Sequence, residues 1–379
     1  MTKTFGPEPA VGGDASPTPA TPSDSSVLTW IRSRVRPAWF GVLALGLITL
    51  LITSTQATLN VYILNSVLLA MLGAIALNVL MGTAGQPSIG NAAFLAVGGF
   101  VTMFLIYEEI AVFPWTVVIA ALVSVVVGLV IGLPALRLQG LHLILATLAM
   151  HFIVIFFATR YQQNTVGASP FVTRPEFADL GRDGMQVRWA WLLFAIVAVV
   201  VLAASRLVRE RSGRAWRLVR DHELIAPTLG IRPTRYKLVA FALSSGLIGV
   251  QGALLAHFTG SVTVEAFTLA LAIQYLAMVL IGGLDSIPGA MIGAAIVVYI
   301  PNKMPDLVGI VIGTENAAVK GPQISLILYG ILIIVFITSS PQGVIGWLRG
   351  SSSRTKTALR RTRDEAGSPV GRVTRSRVR

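Results

Sequence analysis

Apolar runs long enough to cross a lipid bilayer recur along almost the whole chain, and this constrains the fold more than any other feature of the sequence. A helix rises about 1.5 Å per residue, so roughly 20 apolar residues cover the hydrocarbon core. Runs of that order occupy 38–53, 59–81, 89–107, 113–133, 141–158, 189–206, 238–258, 268–284, 287–303 and 324–340. Inside lipid the backbone finds no water, so each run must satisfy its own hydrogen bonds as a helix. The expected fold class is therefore all-α, a polytopic integral membrane helical bundle of about ten spans. The stretch 287–303 is short and glycine-rich and 89–107 starts at a broken turn, so either could be re-entrant. Composition agrees: of 379 residues 12% are charged, about half the share of a soluble domain.

The formal charge of +13 resembles a nucleic-acid signal until the charges are located. Most Lys and Arg lie in residues 1–36, in 206–237 and beyond 348. Asp and Glu accompany the scattered Arg and Lys of 159–188 and 304–323. Positive charge collects on the cytoplasmic side of membrane proteins, so both termini are expected inside, with 159–188 and 304–323 outside. Anionic lipid is then a sufficient partner for the basic stretches, and nucleic acid is not expected. The reading divides the chain into a disordered tail (1–36, with no cleavable signal peptide), a membrane domain (37–347) with a cytoplasmic segment at 207–237, and a basic tail (348–379).

Several chemistries are excluded or disfavoured. With no cysteine, disulfides and thiolate ligands are absent. His142, His151, His222 and His257 are scattered, and His222–Glu223 lacks a second His at Ala226, so no metal site is expected. No Gly-Lys pair exists to open a phosphate-binding loop. The span interiors carry no Asp, Glu, Lys or Arg, so no catalytic residue is expected. That absence also weakens, without removing, the alternative of an ion-coupled secondary transporter. Energy for uphill movement would come from another subunit.

The longest charged interruption, Arg209 to Lys237, is patterned. Ala215, Leu218, Val219, His222, Ile225, Ala226 and Leu229 recur at steps of three and four, which places them along one side of a helix. Pro227 disfavours a helical Ala226, so a helix ending near Leu224 and a second turn from Pro227 are expected, with Gly230 as a stop. Such an element lies along the membrane, or against a partner, or is a solvated loop.

Neutral polar residues within or beside the spans are candidates for a translocation path: Asn78, Ser88, Asn91, His151, Gln251 and Gln274. Hydrogen bonds between helices are the plainer role for each. The glycine- and proline-punctuated stretches Gly82–Gly90 and Gly282–Gly289 read as tight helix hairpins, with Ser88, Asp285 or Ser286 free to cap the helix that follows.

ALNVLMGTAGQPSIGNAAFLAVGGF (76–100), GLPALRLQGLHLILATLAM (132–150) and RDHELIAPTLGIRPTRYKLVAFALSSGLIGVQGALLAHF (220–258) carry a resemblance. AMVLIGGLDSIPGAMIGAAIVVYIP (277–301) and LYGILIIVFITSSPQGVIG (328–346) extend it. Over roughly 60–347 the chain resembles the inner-membrane permease subunits of high-affinity branched-chain amino acid ABC importers, a family also similar to urea and short-amide importers. The resemblance implies a multi-pass protein of the bacterial cytoplasmic membrane. It also implies a homologous second permease, two ATP-binding subunits that hold ATP and Mg, and an extracytoplasmic substrate-binding protein; this chain itself binds no cofactor. By the same resemblance Arg220–Ile231 looks like a coupling helix docked in the ATPase. The coupling residues are then Arg217, Leu218, Arg220, Asp221, His222, Glu223, Ile225, Leu229, Gly230 and Ile231. Leu218, His222, Ile225 and Leu229 would form its face, with Arg217, Arg220 and Glu223 at the rim. The chain departs from the family pattern at Pro227 and at Asn91, where the family commonly has His.

Overall fold

The computed structural model describes residues 41–54, 58–135, 140–166, 171–172 and 181–312, together with the single positions 327, 330, 331 and 334. Its regular elements are helical, joined by one isolated bridge between Phe171 and Ser261. In chain order they are α1 (Gly41–Ser54), α2 (Thr58–Asn78), α3 (Asn91–Tyr107), α4 (Trp115–Ala135) and α5 (Leu141–Tyr161). Then follow α6 (Gly181–Arg209), α7 (Arg211–Asp221), α8 (Pro233–Thr259), α9 (Leu269–Gly282) and α10 (Ile287–Ile312).

Among the described residues six helical segments are long and apolar enough to cross a membrane, and Gly41–Ser54, Asn91–Tyr107 and Ile287–Lys303 are shorter apolar helices. The protein is thus a polytopic helical membrane protein. The expected run at 324–340 lies outside the described residues except for helical Ile327, Gly330, Ile331 and Ile334, and both tails lie outside them entirely. Two helices outrun their apolar cores. α6 starts at Gly181 instead of 189 and α10 continues to Ile312 instead of 303, so each carries helix into a segment expected to be external. Hydropathy reports only the part of a helix that must sit in lipid, and backbone hydrogen bonding propagates past it.

α2 is the central post. Val61, Leu68, Leu72, Ile75 and Leu77 are all buried, and α6, α8, α9 and α10 pack around it. α8 then carries α3 and α4 on its other side, and α5 leans on α3. Lipid offers no hydrophobic gain for helix pairing, so close contact comes from small residues. A Cβ built on Gly98 would overlap the Gly249 carbonyl, and one on Gly252 would overlap the Leu95 carbonyl, so α3 and α8 touch backbone to backbone. α9 and α10 do the same at Gly282 and Gly289. Outward, α4 and α5 expose Leu122, Val126, Leu145, Phe152 and Phe156, a surface suited to acyl chains.

The two punctuated stretches behave differently, which corrects the hairpin expectation at the first. α9 and α10 fold back on each other as expected, and Ser286 Oγ accepts from Gly289 N at 3.3 Å as the cap of α10. α2 and α3 diverge instead. α2 ends in a π-helical turn, Val79–Thr83, and α3 leaves to pack on α4, α5 and α8. The reason is steric: the small-residue seam on α3 matches α8, and α8 stands between the two.

Candidate functional site

The elbow between α6 and α8 starts where the chain turns at Glu210, whose backbone is extended. α7 buries Gly213, Ala215, Trp216 and Val219 at helical spacing and turns its arginines elsewhere. Trp216 is the anchor, fully buried, with Nε1 donating to the Tyr236 carbonyl at 2.8 Å on the first turn of α8. Replacing Trp216 with Ala is expected to cost about 3 kcal/mol or more. It should show as proteolytic nicking between α7 and α8 in membranes that resist it in the wild type.

α7 ends at Asp221, not near Leu224. If the helix continued, the Pro227 ring would strike the carbonyl of Glu223, four residues back, so the chain leaves the helical path before that residue. A 3₁₀ turn follows, Ala226–Leu229, with Pro227 in its first turn where a missing N–H costs nothing, as the position of the proline led one to expect. Gly230 closes it at φ +74°, and Ile231 N donates to the Ala226 carbonyl at 3.1 Å. That left-handed backbone is why glycine is needed there.

This early break divides the expected coupling residues between two surfaces. Leu224 is 92% exposed, Leu229 64% and Ile225 51%, and His222 is exposed beside them. Leu218 and Ile231 are half-buried, and Ala226 alone of this turn is buried. The apolar knuckle is thus Leu224, Ile225 and Leu229. Leu224 was missed because a continued helix would have turned it away from Ile225 and Leu229.

The charged residues do not rim that knuckle uniformly; several turn inward. Arg217 Nε and Nη2 donate to Asp285 at 2.9 and 3.3 Å. Arg220 Nη1 donates to the Gly82 carbonyl and lies 3.7 Å from Asp285, while its stem packs on Gly85, which is at φ +68°. Thr83 Oγ1 donates to Asp285 Oδ1 at 3.0 Å. Asn78 completes the node, its Nδ2 donating to the Ser286 carbonyl at 2.7 Å and its Oδ1 accepting from Asp285 N at 2.9 Å. Glu223 instead accepts from Lys237 Nζ at 2.5 Å. The Arg220–Asp221 hydrogen bond, 2.8 Å, holds the Asp221 carboxyl below its ordinary range and raises the Arg220 guanidinium. With the folded value depressed, this pair stays charged at neutral pH and is lost only as pH falls through that lowered value.

Of the candidate path residues, Asn78 is engaged in the node, and Ser88 Oγ accepts from Gly90 N at 3.2 Å just before α3. Gln251, buried on α8, donates from Nε2 to Tyr275 Oη, while its Oε1 has no partner. Asn91 is buried with neither amide atom partnered, and His151 is buried with Nδ1 unpartnered. Gln274 is half-buried on α9. An apolar crevice of about 420 Å³ between α3, α4 and α5, lined by Val97, Phe100, Val127, Val154 and Tyr161 among others, includes none of these six. No three His, Asp or Glu stand together to hold a metal among the described residues.

A family model described as the permease component of branched-chain amino acid transport systems matches residues 59–337. The chain belongs to this family. Its permease relatives include the high-affinity branched-chain amino acid transport system permease protein LivM of Salmonella typhimurium. That protein is 29% identical over 298 residues, which cover 72% of this permease and 67% of the relative. The probable LivH permease protein of Methanocaldococcus jannaschii is 26% identical, covering 73% of this permease and 89% of the relative. LivM of Escherichia coli is 28% identical over the same 72% and 67%. No solved structure matches this permease. The matched span contains α2 to α10 and the whole elbow.

Proposed function

We propose that this permease moves branched-chain amino acids inward as one of two homologous membrane halves. Two ATP-hydrolysing subunits, which hold the ATP and Mg, drive it by docking on the elbow, and an extracytoplasmic binding protein delivers the substrate. One observation carries the coupling part: an apolar knuckle, Leu224, Ile225 and Leu229, stands exposed on a polar segment between two membrane helices. Water-exposed clusters of this kind mark partner surfaces. The family match and the LivM and LivH relatives support the substrate class.

In this reading the protein lies in a bacterial cytoplasmic membrane with about ten spans and both termini inside. Residues 37–347 form the membrane domain, and the tails 1–36 and 348–379 contact anionic lipid rather than nucleic acid. ATP hydrolysis moves the elbow, and the elbow tilts α6 and α8 to open the path alternately to either side. Asn91, His151 and Gln251, each with at least one buried polar atom that lacks a protein partner, and half-buried Gln274 supply the polar path; Asn78 and Ser88 support the fold beside it.

Because the chain has no native cysteine, Leu224→Cys gives a single labelling site. A membrane-impermeant maleimide is expected to label it in inside-out vesicles and not in intact cells. Labelling from outside would sink the whole orientation. Glu223→Ala combined with Gly230→Val removes the Lys237 ion pair and strains the left-handed turn. Uptake is expected to fall while the protein remains in the membrane at wild-type amounts, checked by transport and immunoblot on the same cells.

A further inference from the structure

Asp285 stands on the α9–α10 turn, 68 residues from Arg217 and 202 from Thr83, yet it receives hydrogen bonds from both. Its backbone is at φ +60°, a region that few residues other than glycine adopt, and Asn78 Oδ1 holds its amide there. The neighbouring backbones leave no slack: a Cβ on Gly82 would overlap Asp285 N, and one on Gly85 would overlap the Arg220 stem. Three separate pieces of chain therefore meet at one carboxylate: α7, the π-helical end of α2 and the turn that opens α10.

We propose that Asp285 is a positioning residue that locks these three pieces into one rigid block. A displacement delivered at the elbow is then transmitted to α2, α9 and α10 and not to α6 and α8 alone. The inference rests on the proposed coupling role of the elbow. Stability is a weak explanation for the node, because Arg217 and Asp285 keep 35% and 26% side-chain exposure and a partly exposed ion pair contributes little. Geometry is the stronger one. A two-point Arg–carboxylate contact fixes direction as well as distance, and here the carboxylate is further held by Thr83 and Arg220. The block includes the central post of the bundle, so α2 would move with the elbow while α3, α4 and α5, which pack beyond α8, follow separately.

The test uses the complete importer in proteoliposomes, reading leucine taken up per ATP hydrolysed. The wild type must first show ATP-dependent uptake; its failure would remove the functional reading itself and not the block. Asp285→Asn suits a left-handed backbone and keeps the side chain's size. It is expected to lower uptake per ATP about tenfold while hydrolysis and subunit assembly persist. A second variant guards against a merely structural loss. Arg217→Cys with Asp285→Cys, in a complex whose other subunits lack cysteine, is expected to be uncoupled in the same way. Side chains that meet tip to tip stand too far apart at Cβ for a direct disulfide. A short bis-methanethiosulfonate spacer across the pair is therefore used, and it is expected to restore coupling until a reductant removes it. Wild-type coupling in Asp285→Asn overturns the proposal, as does a bridged pair that stays uncoupled or stops transport.

Discussion

Gly98→Leu is expected to abolish the folded permease. The Gly98 Cα faces the Gly249 backbone, where any side chain overlaps the carbonyl of residue 249. α3 and α8 would have to separate. That would also open the Gly252–Leu95 contact and the edge-to-face pair Phe94–Phe241, whose ring centroids are 5.8 Å apart. In lipid no hydrophobic term refills the gap, because the acyl chains are as apolar as the helix faces they replace. Forcing atoms into a packed seam costs about 1–3 kcal/mol when side chains can yield. Here the obstacle is backbone, so about 3 kcal/mol is the lower end and a large part of a membrane domain's stability. The measurements are the steady-state amount in membranes and the melting temperature in detergent. Gly41→Ala, where a Cβ meets nothing within 4 Å, should match the wild type in both. An undiminished Gly98→Leu protein would mean that α3 and α8 do not touch as described.

Ile225→Asp combined with Leu229→Asp is expected to abolish ATP-driven uptake while leaving the fold intact. The two side chains keep 51% and 64% of their surface in the unpartnered chain, so their loss should change stability by about 0.5 kcal/mol or less. At the centre of a docked interface the same positions act as anchors, each worth about 2 kcal/mol. Together they represent about 4 kcal/mol, a loss of roughly a thousandfold in affinity for the ATPase subunits. The readout is co-isolation of those subunits with the tagged permease, alongside leucine uptake. Retained co-isolation would place the docking surface elsewhere and remove the observation on which the coupling role stands.

The elbow shows how far the sequence could be read. Its position, its basic character and its break at Pro227 were all legible, because charge and proline act locally. Its working face was only partly legible. The three- and four-residue spacing continued through His222 to Leu229, and it implied one apolar stripe where the structure has two surfaces: Trp216 and Val219 against α8, and Leu224, Ile225 and Leu229 outward. Trp216 carried a signal that could have been used, since a tryptophan amid arginines rarely lacks a packing partner. Asp285 carried none. Beside Ser286 at a helix start it reads as a cap, and only the arrival of Arg217 and Thr83 makes it a junction.

The hairpin readings separate the same two levels. Gly82–Gly90 and Gly282–Gly289 look alike as strings, and a reversal at each is a fair inference from glycine and proline alone. One became a hairpin and the other did not, because α8 claims α3 through Gly249 and Gly252.

By itself the sequence determined that this chain is a membrane bundle of helices, where nearly all of those helices lie, and where positive charge interrupts them. These follow from transfer of short segments between water and lipid, and each segment settles that balance without reference to the others. The tertiary structure alone decided which helices touch, which polar groups in the bundle are left without partners, and that three distant stretches converge on one carboxylate. Contacts of that kind depend on close approach between residues up to 208 positions apart, and no local pattern encodes them.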